Sequence, residues 1–410
     1  MVAYTFYETD NRVRRYAETL AKRGDHVDAF VLRRPGQKRF DVIRGVHVYR
    51  IQRRVIDETS PLTYLLKLLA FLIRSTASVT RRHLRARYDL IHVHSVPDFE
   101  VFCTLIPRVM GAKVILDIHD IVPELYASKF GISSTSIPFR LLLLMEWLSI
   151  RYSNHVIVAN HLWHERLIAR SARPEDSSTI LNYPDPAIFR QPARLAEDSA
   201  REFLLFYPGT LSWHQGVDLL ITAVARIRSA APELRLMIVG DGPERQRLDS
   251  LIAAEGLGDI VTIGSGVSME QVAEIMARAD LGVEPKRTQT FGNEALSTKI
   301  FEFMAMGVPV LASDTIINRR YFGDGSVEFF TSDYIDGLAS AILRLMQDAA
   351  LRSHLREHGL AYIRQNNWDV KSGEYLHLVD GLKEGRSVKP PFEEAGTTLR
   401  GSSEETSCGS

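Results

Sequence analysis

The stretch EALSTKIFEFMAMGVPVLAS, residues 294–313, joins a helix-length run to the strand-like run GVPVLAS. Glu294 and Glu302 stand eight positions apart around the expected start of the helix. A helix N-terminus presents unpaired N–H groups and a partial positive charge, so the turn with Ser297 and Thr298 can hold an anion such as a diphosphate. The first glutamate then lies on the approach loop and the second about one turn inside the helix. A ligand with phosphate between two polyols could contact both, although acids at helix ends also occur simply because they complement the helix dipole.

Outward from this stretch, short β-like runs alternate with helix-length amphipathic runs, which is typical of parallel α/β architecture. The predicted strands of the first half are VAYTF, HVDAFVL, VHVYRI, DLIHVHS, KVILDIH, HVIVAN and STILNY. Those of the second half are FLLFYPG, LRLMIVG, IVTIG, LGVEP, PVLAS and VEFF. The Pro-rich run NYPDPAIFRQPAR, residues 182–194, separates the two series. We interpret them as two doubly wound domains, with a ligand crevice at the carboxyl ends of the strands.

The chain has 410 residues, enough for two or three domains. We predict one Rossmann-like domain over residues 1–190 and a second over 191–365. A helix over 366–385 is expected to pack back toward the first domain. The polar tail over 386–410 is expected to be disordered.

The formal net charge of zero hides an asymmetry between the two halves. Residues 1–190 carry 28 Lys plus Arg against 19 Asp plus Glu, and residues 191–410 carry 22 against 31. The basic N-terminal half favours an anionic partner such as membrane headgroups or a phosphorylated acceptor. We predict no nucleic-acid partner, because the sequence contains no recognition motif for one. Only Cys103 and Cys408 are present, which argues against a disulfide framework or a cysteine metal site and suits a cytoplasmic protein. Met1 runs directly into VAYTFYE without a basic n-region or a cleavage site, so we expect no secretory signal.

The longest apolar run, LTYLLKLLAFLI at 62–73, is too short to span a bilayer, which needs about 20 apolar residues. Five arginines follow it between 74 and 87. Such a segment, 62–87, could lie on an anionic membrane surface. A buried helix with a solvated basic end explains it equally well.

Two glycine-containing loops follow predicted strands of the second half. In YPGTLSWHQG, Gly209 would let the backbone approach a phosphate, and Thr210 and His214 could face it. In GDGP, Gly240 and Gly242 are expected to form a tight turn near the ligand, although the full G-x-G-x-x-G spacing is absent. Plain turns without ligand contact are the simpler alternative for both loops.

The run ILDIHDIVPE places His119 and Asp120 just past a buried strand, where doubly wound folds carry functional groups. His119 could bind a sugar hydroxyl or a backbone carbonyl, and a structural role at the next turn is the alternative. We expect His92 and His94 of IHVHS to point to opposite faces of their strand, which argues against a joint metal site.

Asp10, Asn11 and Arg12 lie between the first predicted strand and the helix that follows it. An Asp or Asn at such a position commonly caps the helix, which is the simpler role. In a two-domain fold the same loop would also line the cleft. Lys299 falls in the first helical turn after Thr298, a position at which a cation opposes the helix dipole. A neighbouring phosphate would account for it. No G-x-S-x-G, H-E-x-x-H or G-x-x-x-x-G-K-[ST] motif occurs, which argues against hydrolase, zinc protease and P-loop functions.

With HD, GTL, GDGP, E-x7-E and GVPV in this order, the chain resembles the retaining family 4 glycosyltransferases of the GT-B fold over about residues 1–380. STKIFEFMAMGVPVLAS is similar to the bacterial branch that builds surface polysaccharides. The resemblance implies an α/β fold of GT-B type, with two doubly wound Rossmann-like domains facing across a cleft. It further implies a nucleotide-diphosphate sugar bound mainly by the C-terminal domain and an acceptor bound mainly by the N-terminal domain, with Asp10, Asn11, Arg12 and Asp120 on the acceptor side.

The resemblance also assigns roles to individual residues. Glu294 and His119 are implied to be catalytic, Glu294 at the donor-sugar hydroxyls and His119 beside the reacting sugar. Glu302 is implied to bind the ribose, while Leu296 and Ser297 offer backbone N–H groups to the diphosphate. Such enzymes usually need no metal, and no D-x-D triplet stands in the strand-end loops here. We therefore predict no metal and no cofactor.

The chain departs from the family pattern at the loop after the first strand of the second domain. Thr210 and Gln215 stand where many relatives carry Arg and Lys that neutralise the diphosphate. The candidates to replace that charge are Lys299, Arg287, Lys286 and His214. At the first helix, YETDNRV replaces the glycine pair of many relatives.

The resulting hypothesis is a retaining hexosyltransferase with a lipid-linked or saccharide acceptor, acting in cell-surface polysaccharide synthesis. Its expected location is the cytoplasm, at or near the inner face of the cell membrane. A nucleotide-sugar epimerase of the same fold and a non-catalytic nucleotide-sugar-binding or scaffold protein are the alternatives.

Overall fold

The computed structural model describes residues 1–54, 61–131, 133–191, 202–289, 291–323 and 325–386. The predicted disordered tail, 386–410, thus lies outside the described residues from 387 onward.

The first sheet has eight strands in the order β3-β4-β2-β1-β5-β6-β7-β8. Their bounds are β1 Val2–Ala3, β2 Asp28–Arg33, β3 Phe40–Ile43, β4 Val46–Arg53, β5 Leu90–His94, β6 Lys113–Ile118, β7 His155–Val158 and β8 Ser177–Thr179. Every pairing is parallel except that of β3 with β4. The sequence interpretation missed β3, an edge strand whose side chains are mostly exposed and which lacks an apolar pattern.

The second sheet has six strands, all parallel, in the order β11-β10-β9-β12-β13-β14. Their bounds are β9 Phe203–Pro208, β10 Leu234–Val239, β11 Val261–Gly264, β12 Leu281–Glu284, β13 Val310–Ser313 and β14 Glu328–Phe330. The strand order reverses between β1 and β5 in one sheet and between β9 and β12 in the other. Both reversals create a crevice at the carboxyl ends of the strands, so the predicted doubly wound fold is confirmed.

Helices cover the faces of both sheets. Their bounds are α1 Asn11–Arg23, α2 Pro61–His83, α3 Leu105–Val109, α4 Val122–Phe130, α5 Ile137–Tyr152, α6 His161–Arg170, α7 Val217–Ile227, α8 Arg245–Ala254, α9 Met269–Met276, α10 Thr298–Met306, α11 Ile316–Tyr321, α12 Ile335–Gln347, α13 Ala349–Gln365 and α14 Trp368–Lys383. Local sequence sets many of the boundaries. Asp10, for example, accepts hydrogen bonds from the Arg12 and Val13 N–H groups, and Gly24 ends the same helix in a left-handed conformation.

The last helix, α14, lies against the N-terminal domain. Trp368 Nε1 donates to Thr19 Oγ1 at 2.8 Å, and Tyr375 Oη lies 3.0 Å from His92 Nδ1. Tyr375 also packs on Tyr16 of α1, with ring centroids 4.3 Å apart. These contacts connect the end of the C-terminal domain to α1 and β5.

Helix α2 continues ten residues beyond the apolar run 62–73, to His83. In the described chain, Leu62–His83 is the one helix that is long and apolar enough to cross a membrane by length and composition. The prediction that this segment is too short to span therefore does not hold for the whole helix. Leu68, Phe71 and Val79 are buried against the protein, whereas Leu62 and Ile73 are 66% and 70% exposed.

Candidate functional site

A cavity of about 550 Å³ lies between the two domains at the carboxyl ends of their strands. The N-terminal domain and the linker line one wall with Thr9, Asp10, Asn11, Arg12, Arg15, His119, Asn182, Tyr183, Pro184, Asp185 and Phe189. The C-terminal domain lines the other with Pro208, Gly209, Thr210, Gln215, Val239, Gly240, Asp241, Gly266, Val267, Met269, Val272, Thr298, Lys299 and Glu302.

The N-terminus of α10 forms part of the C-terminal wall. Thr298, Lys299 and Glu302 line the cavity, whereas Leu296 and Ser297 lie just outside the lining. Ser297 is the N-cap residue, yet its hydroxyl makes no capping hydrogen bond, and its buried Oγ has no partner among the described residues. The first turn of this helix therefore keeps its unpaired N–H groups and the positive end of its dipole toward the cavity.

Lys299 is the cation of this wall. Its Nζ donates to Gln215 Oε1 at 3.1 Å and lies 5.1 Å from the centre of the Tyr207 ring. In the described part of the chain, no carboxylate approaches Nζ within 4 Å. Burial, together with the charge of Lys286, lowers the pKa of Lys299 to about 8. The side chain is still mainly protonated at pH 7 and, among the described residues, has no carboxylate within ion-pair distance, although the charges of Glu284 and Glu302 oppose part of the shift.

The other three candidate cations are unsuited to the role. Arg287 donates to both carboxylate oxygens of Asp218 at 2.9 Å, and Lys286 Nζ lies 3.3 Å from Glu284. Burial and the neighbouring lysines lower the pKa of His214 to about 4, so its ring is neutral at pH 7. His214 also lies outside the cavity lining. Arg287 and Lys286 are thus already paired with acids, His214 is neutral, and none of the three lines the cavity, so the geometry favours Lys299 over them as the cation for a diphosphate.

The two glutamates of the E-x7-E pair occupy different surroundings. Glu302 lines the cavity and is 8% exposed, and burial raises its pKa to about 7 although the Lys299 charge opposes the shift. Glu294 is not among the lining residues. Its Oε1 lies 2.5 Å from Arg166 Nη2 on α6, and its carbonyl oxygen accepts from Asn160 Nδ2 at 3.1 Å. Glu294 thus connects the C-terminal domain to the N-terminal domain beside the cleft.

Close approach of two backbones explains the glycines of the strand-end loops. A side chain at Gly240 would place its Cβ 1.8 Å from the Gly209 carbonyl oxygen, and one at Gly242 would lie 2.2 Å from that of Leu211. Gly209 itself has φ of +144° and faces Lys299. Gly209, Thr210 and Gly240 line the cavity, whereas Gly242 packs the loop behind it.

Asp117, which the sequence interpretation did not single out, is the centre of the N-terminal wall. This fully buried carboxylate accepts from Arg12 Nε at 2.8 Å and from Arg12 Nη2 at 2.6 Å. His119 Nε2 and His94 Nδ1 each lie 3.1 Å from it. Burial alone would raise the pKa of Asp117, but Arg12 and His119 hold it well below its usual range. The available signal was a lone acid inside the apolar strand VILDI.

His92 and His94 share one face of β5, contrary to expectation, because residues two positions apart on a strand point the same way. Their rings stack with centroids 4.2 Å apart. Together with Asp117 they place three ligand-type atoms within 4.8 Å of one another. Arg12 already bonds both Asp117 oxygens, so it occupies the position that a cation would take there.

The remaining residues predicted for the acceptor side have distinct positions. Asp10 caps α1, and Asp10, Asn11 and Arg12 line the cavity. Asp120 does not line it, and burial raises its pKa. Arg15, a further lining residue that the sequence interpretation missed, donates to Asn182 Oδ1 at 2.8 Å and so holds the inter-domain linker.

Two family models together match most of the chain. "Glycosyl transferase 4-like domain" matches residues 9–182, and "Glycosyl transferases group 1" matches residues 190–361. The boundary between them coincides with the linker that passes the cavity.

Two known proteins resemble parts of the chain in sequence. It is 31% identical to alpha-D-kanosaminyltransferase of Streptomyces kanamyceticus, over 38% of this chain and 39% of that protein. It is 26% identical to phosphatidyl-myo-inositol mannosyltransferase of Mycolicibacterium smegmatis, over 55% of this chain and 60% of that protein. The chain thus spans about two fifths to three fifths of the length of these relatives.

Among solved structures, HepE of Anabaena in complex with UDP-glucose superposes with a TM-score of 0.68 and 16% identity, covering 93% of this chain and 98% of that one. At this identity the likeness shows the fold. Taken with the two family models and the strand order, it places the chain among the family 4 glycosyltransferases of the GT-B fold.

Proposed function

We propose that the protein transfers a hexose from a nucleotide-diphosphate sugar to a lipid-linked or saccharide acceptor, with retention of anomeric configuration and without a metal ion. One observation carries this proposal: the uncapped N-terminus of α10 and Lys299, which makes no ion pair within 4 Å among the described residues, lie on the same wall of the cleft. Both favour an anion at one point, and a diphosphate leaving group develops negative charge there as the glycosidic bond breaks. The UDP-glucose complex of HepE and the transferase names of the relatives support a transferase over an epimerase or a scaffold protein.

On the acceptor side, His119 would be positioned by Asp117 beside the reacting sugar. The hydrogen bond to Asp117 engages Nε2, which leaves Nδ1 as the ring atom available to a ligand. Glu302 would contact the ribose. Glu294 would reach the donor sugar on release from Arg166, with closure of the two domains excluding water from the donor.

A screen of UDP-, GDP- and dTDP-sugars by thermal shift tests the donor assignment, since a ligand that binds only the folded state raises the melting temperature. We expect one nucleotide sugar to raise it for the wild-type chain and to do so less for Lys299→Met. If none of them stabilised the protein, the donor assignment would be wrong.

Transfer chemistry needs a separate measurement, with the stabilising donor and a panel of lipid-linked and saccharide acceptors. NMR of the product should show the anomeric configuration of the donor, and EDTA should leave the rate unchanged. Glu294→Ala should abolish transfer, and Glu175→Ala, at an exposed position of the N-terminal domain outside the cavity, is the surface control. Full activity of Glu294→Ala would contradict its assignment as a catalytic residue.

We further propose that the enzyme works at the inner face of the cell membrane in polysaccharide synthesis, with α2 lying on the lipid surface. In the described chain, α2, α3 and α5 expose large apolar side chains, and the only acid in these three helices is Glu146, which is buried and paired with Arg170. The exposed apolar residues are Leu62, Leu65, Leu66, Leu69, Ile73, Leu105, Ile106, Val109, Ile137, Leu141, Leu144, Trp147 and Leu148. An apolar surface with arginines and without exposed acids suits anionic lipid headgroups. The name of the mannosyltransferase relative, which includes phosphatidyl-myo-inositol, is consistent with a lipid-linked acceptor.

Co-sedimentation with vesicles that contain anionic lipid tests this contact. Leu69→Glu and Leu144→Glu should each weaken binding, whereas Val370→Glu, at an equally exposed position on α14, should not. Binding to neutral vesicles alone, or equal binding by all variants, would contradict the proposal.

A further inference from the structure

A second set of titratable side chains lies at the amino end of the first sheet, at the edge opposite the cleft. Asp28 on β2 and His47 on β4 are direct partners in the parallel pairing of these strands. His26 stands two positions before Asp28, and its ring lies beside that of His47 with centroids 4.7 Å apart. Strand pairing thus brings together two imidazoles and a carboxylate that no sequence motif connects.

The ligand-type atoms of these residues have metal-site spacing. His26 Nε2 lies 3.2 Å and His47 Nδ1 lies 3.7 Å from Asp28 Oδ1, and all three atoms lie within 4.8 Å of one another. A tetrahedral zinc ion with bonds of about 2.0 Å holds its ligand atoms about 3.3 Å apart. Small rotations of the two imidazoles would bring the set to that geometry.

Two of these three atoms have no other partner. Among the described residues, Asp28 Oδ1 and His47 Nδ1 are buried and accept or donate no hydrogen bond. A buried polar atom without a partner costs stability, and an ion at this point would satisfy both.

The surroundings hold the carboxylate in place. Asp28 Oδ2 accepts from Tyr88 Oη and from Arg82 Nε at 3.2 Å, which leaves Oδ1 open on the other side. Metal-binding carboxylates are commonly oriented by such outer hydrogen bonds. An adjoining cavity of about 380 Å³, lined by His26 and Asp28, gives access from solvent.

We infer that His26, Asp28 and His47 bind a divalent transition-metal ion of the zinc class, with water completing the coordination. Two imidazoles and one carboxylate suit zinc, whereas calcium and magnesium require mainly oxygen ligands. The site would bridge β2 and β4 and stabilise the edge of the N-terminal domain, independently of the chemistry in the cleft. The sequence offers no motif for such a site, because the three residues meet only through strand register.

The test uses the full chain, stripped with EDTA, in a His354→Ala background. That substitution removes a second histidine pair, since the His354 and His358 rings lie 4.0 Å apart on α13. We expect one equivalent of Zn²⁺ by calorimetry, an intense tetrahedral absorption band with Co²⁺, and a higher melting temperature with Zn²⁺.

Substitution of each ligand then identifies the site. His26→Ala and His47→Ala should each weaken Zn²⁺ affinity at least about tenfold and abolish the tetrahedral Co²⁺ band. Both side chains are partly solvent-exposed, so these variants should fold, which apo-protein melting checks. Absence of Zn²⁺ binding, or unchanged affinity in both variants, would overturn the inference.

Discussion

The two walls of the cleft differ in how their charges are compensated. On the N-terminal wall, Arg12 is matched by a bidentate bond to Asp117, and His94 and His119 complete the set. On the C-terminal wall, Lys299 has only an amide partner, and the N-cap hydroxyl of Ser297 makes no capping bond. Where the buried charges are already paired, the wall needs no ligand to neutralise them. Where a cation has no ion pair, a bound anion can supply the missing charge. Mutations should therefore affect folding on the first wall and binding on the second.

The largest expected effect is on stability, from Asp117→Asn. This change leaves the Arg12 guanidinium buried without a counter-ion, and breaking a buried pair from one side costs about 3–5 kcal/mol. Urea unfolding should report the loss. The double variant Arg12→Met/Asp117→Asn should recover part of it, and a single-variant loss below about 1 kcal/mol would contradict this pairing of charges on the N-terminal wall.

Lys299→Met should reduce kcat/KM for transfer by about 10²–10³-fold, the cost typical of removing one group that stabilises developing charge. Its melting temperature should stay at or rise above that of the wild type at pH 7, because Lys299 has no ion pair within 4 Å to lose and its lowered pKa shows that burial disfavours the charged side chain. Lys371→Met, on α14 and outside the cavity, is the matched control. If the two variants were equally active, Lys299 would not be the residue that stabilises the anion.

Donor binding should depend on pH through Lys299. Because its folded pKa is lowered to about 8, the side chain loses its positive charge as pH rises through that value. The affinity for UDP should then fall by up to about tenfold per pH unit above 8, since the phosphate charge no longer changes there. Calorimetry at pH 7 to 9 measures this, and the profile of Lys299→Met should be flatter than that of the wild type. In the unliganded protein the sign reverses, because a lowered lysine pKa makes the fold more stable as pH rises from about 8 toward 10.5.

The smallest effect is expected for Arg166→Met, which removes the contact between the domains at Glu294. The pair is partly exposed, so the stability change should remain within about 1 kcal/mol by urea unfolding. A larger loss would show that this contact, and not the linker, holds the two walls together.

The fold could be predicted from the sequence because fully buried parallel strands appear as continuous apolar runs between amphipathic helices. Among the described strands, only the exposed edge strand β3 was not predicted. The E-x7-E segment also revealed its helix boundary, since Ser297 and Thr298 mark the start of α10.

Charge compensation in the site could not be predicted in the same way. Arg12 meets Asp117 across 105 positions of sequence, and Arg287 meets Asp218 across 69. Whether a basic residue is free or paired depends on these distant partners. The sequence therefore held no signal that separates Lys299, which lines the cavity, from Arg287, Lys286 and His214, which do not.

The position of α14 bears on how the chain folds as it leaves the ribosome. Tyr375 covers Tyr16 and His92, and Arg23 bonds Asp380, so the surface of the N-terminal domain is completed by α14, which is synthesised long after that domain. Residues 1–190 therefore emerge with an apolar face exposed and wait for more than 170 further residues. At about 5–20 residues per second this delay lasts on the order of ten seconds or more, during which the nascent domain is open to chaperones.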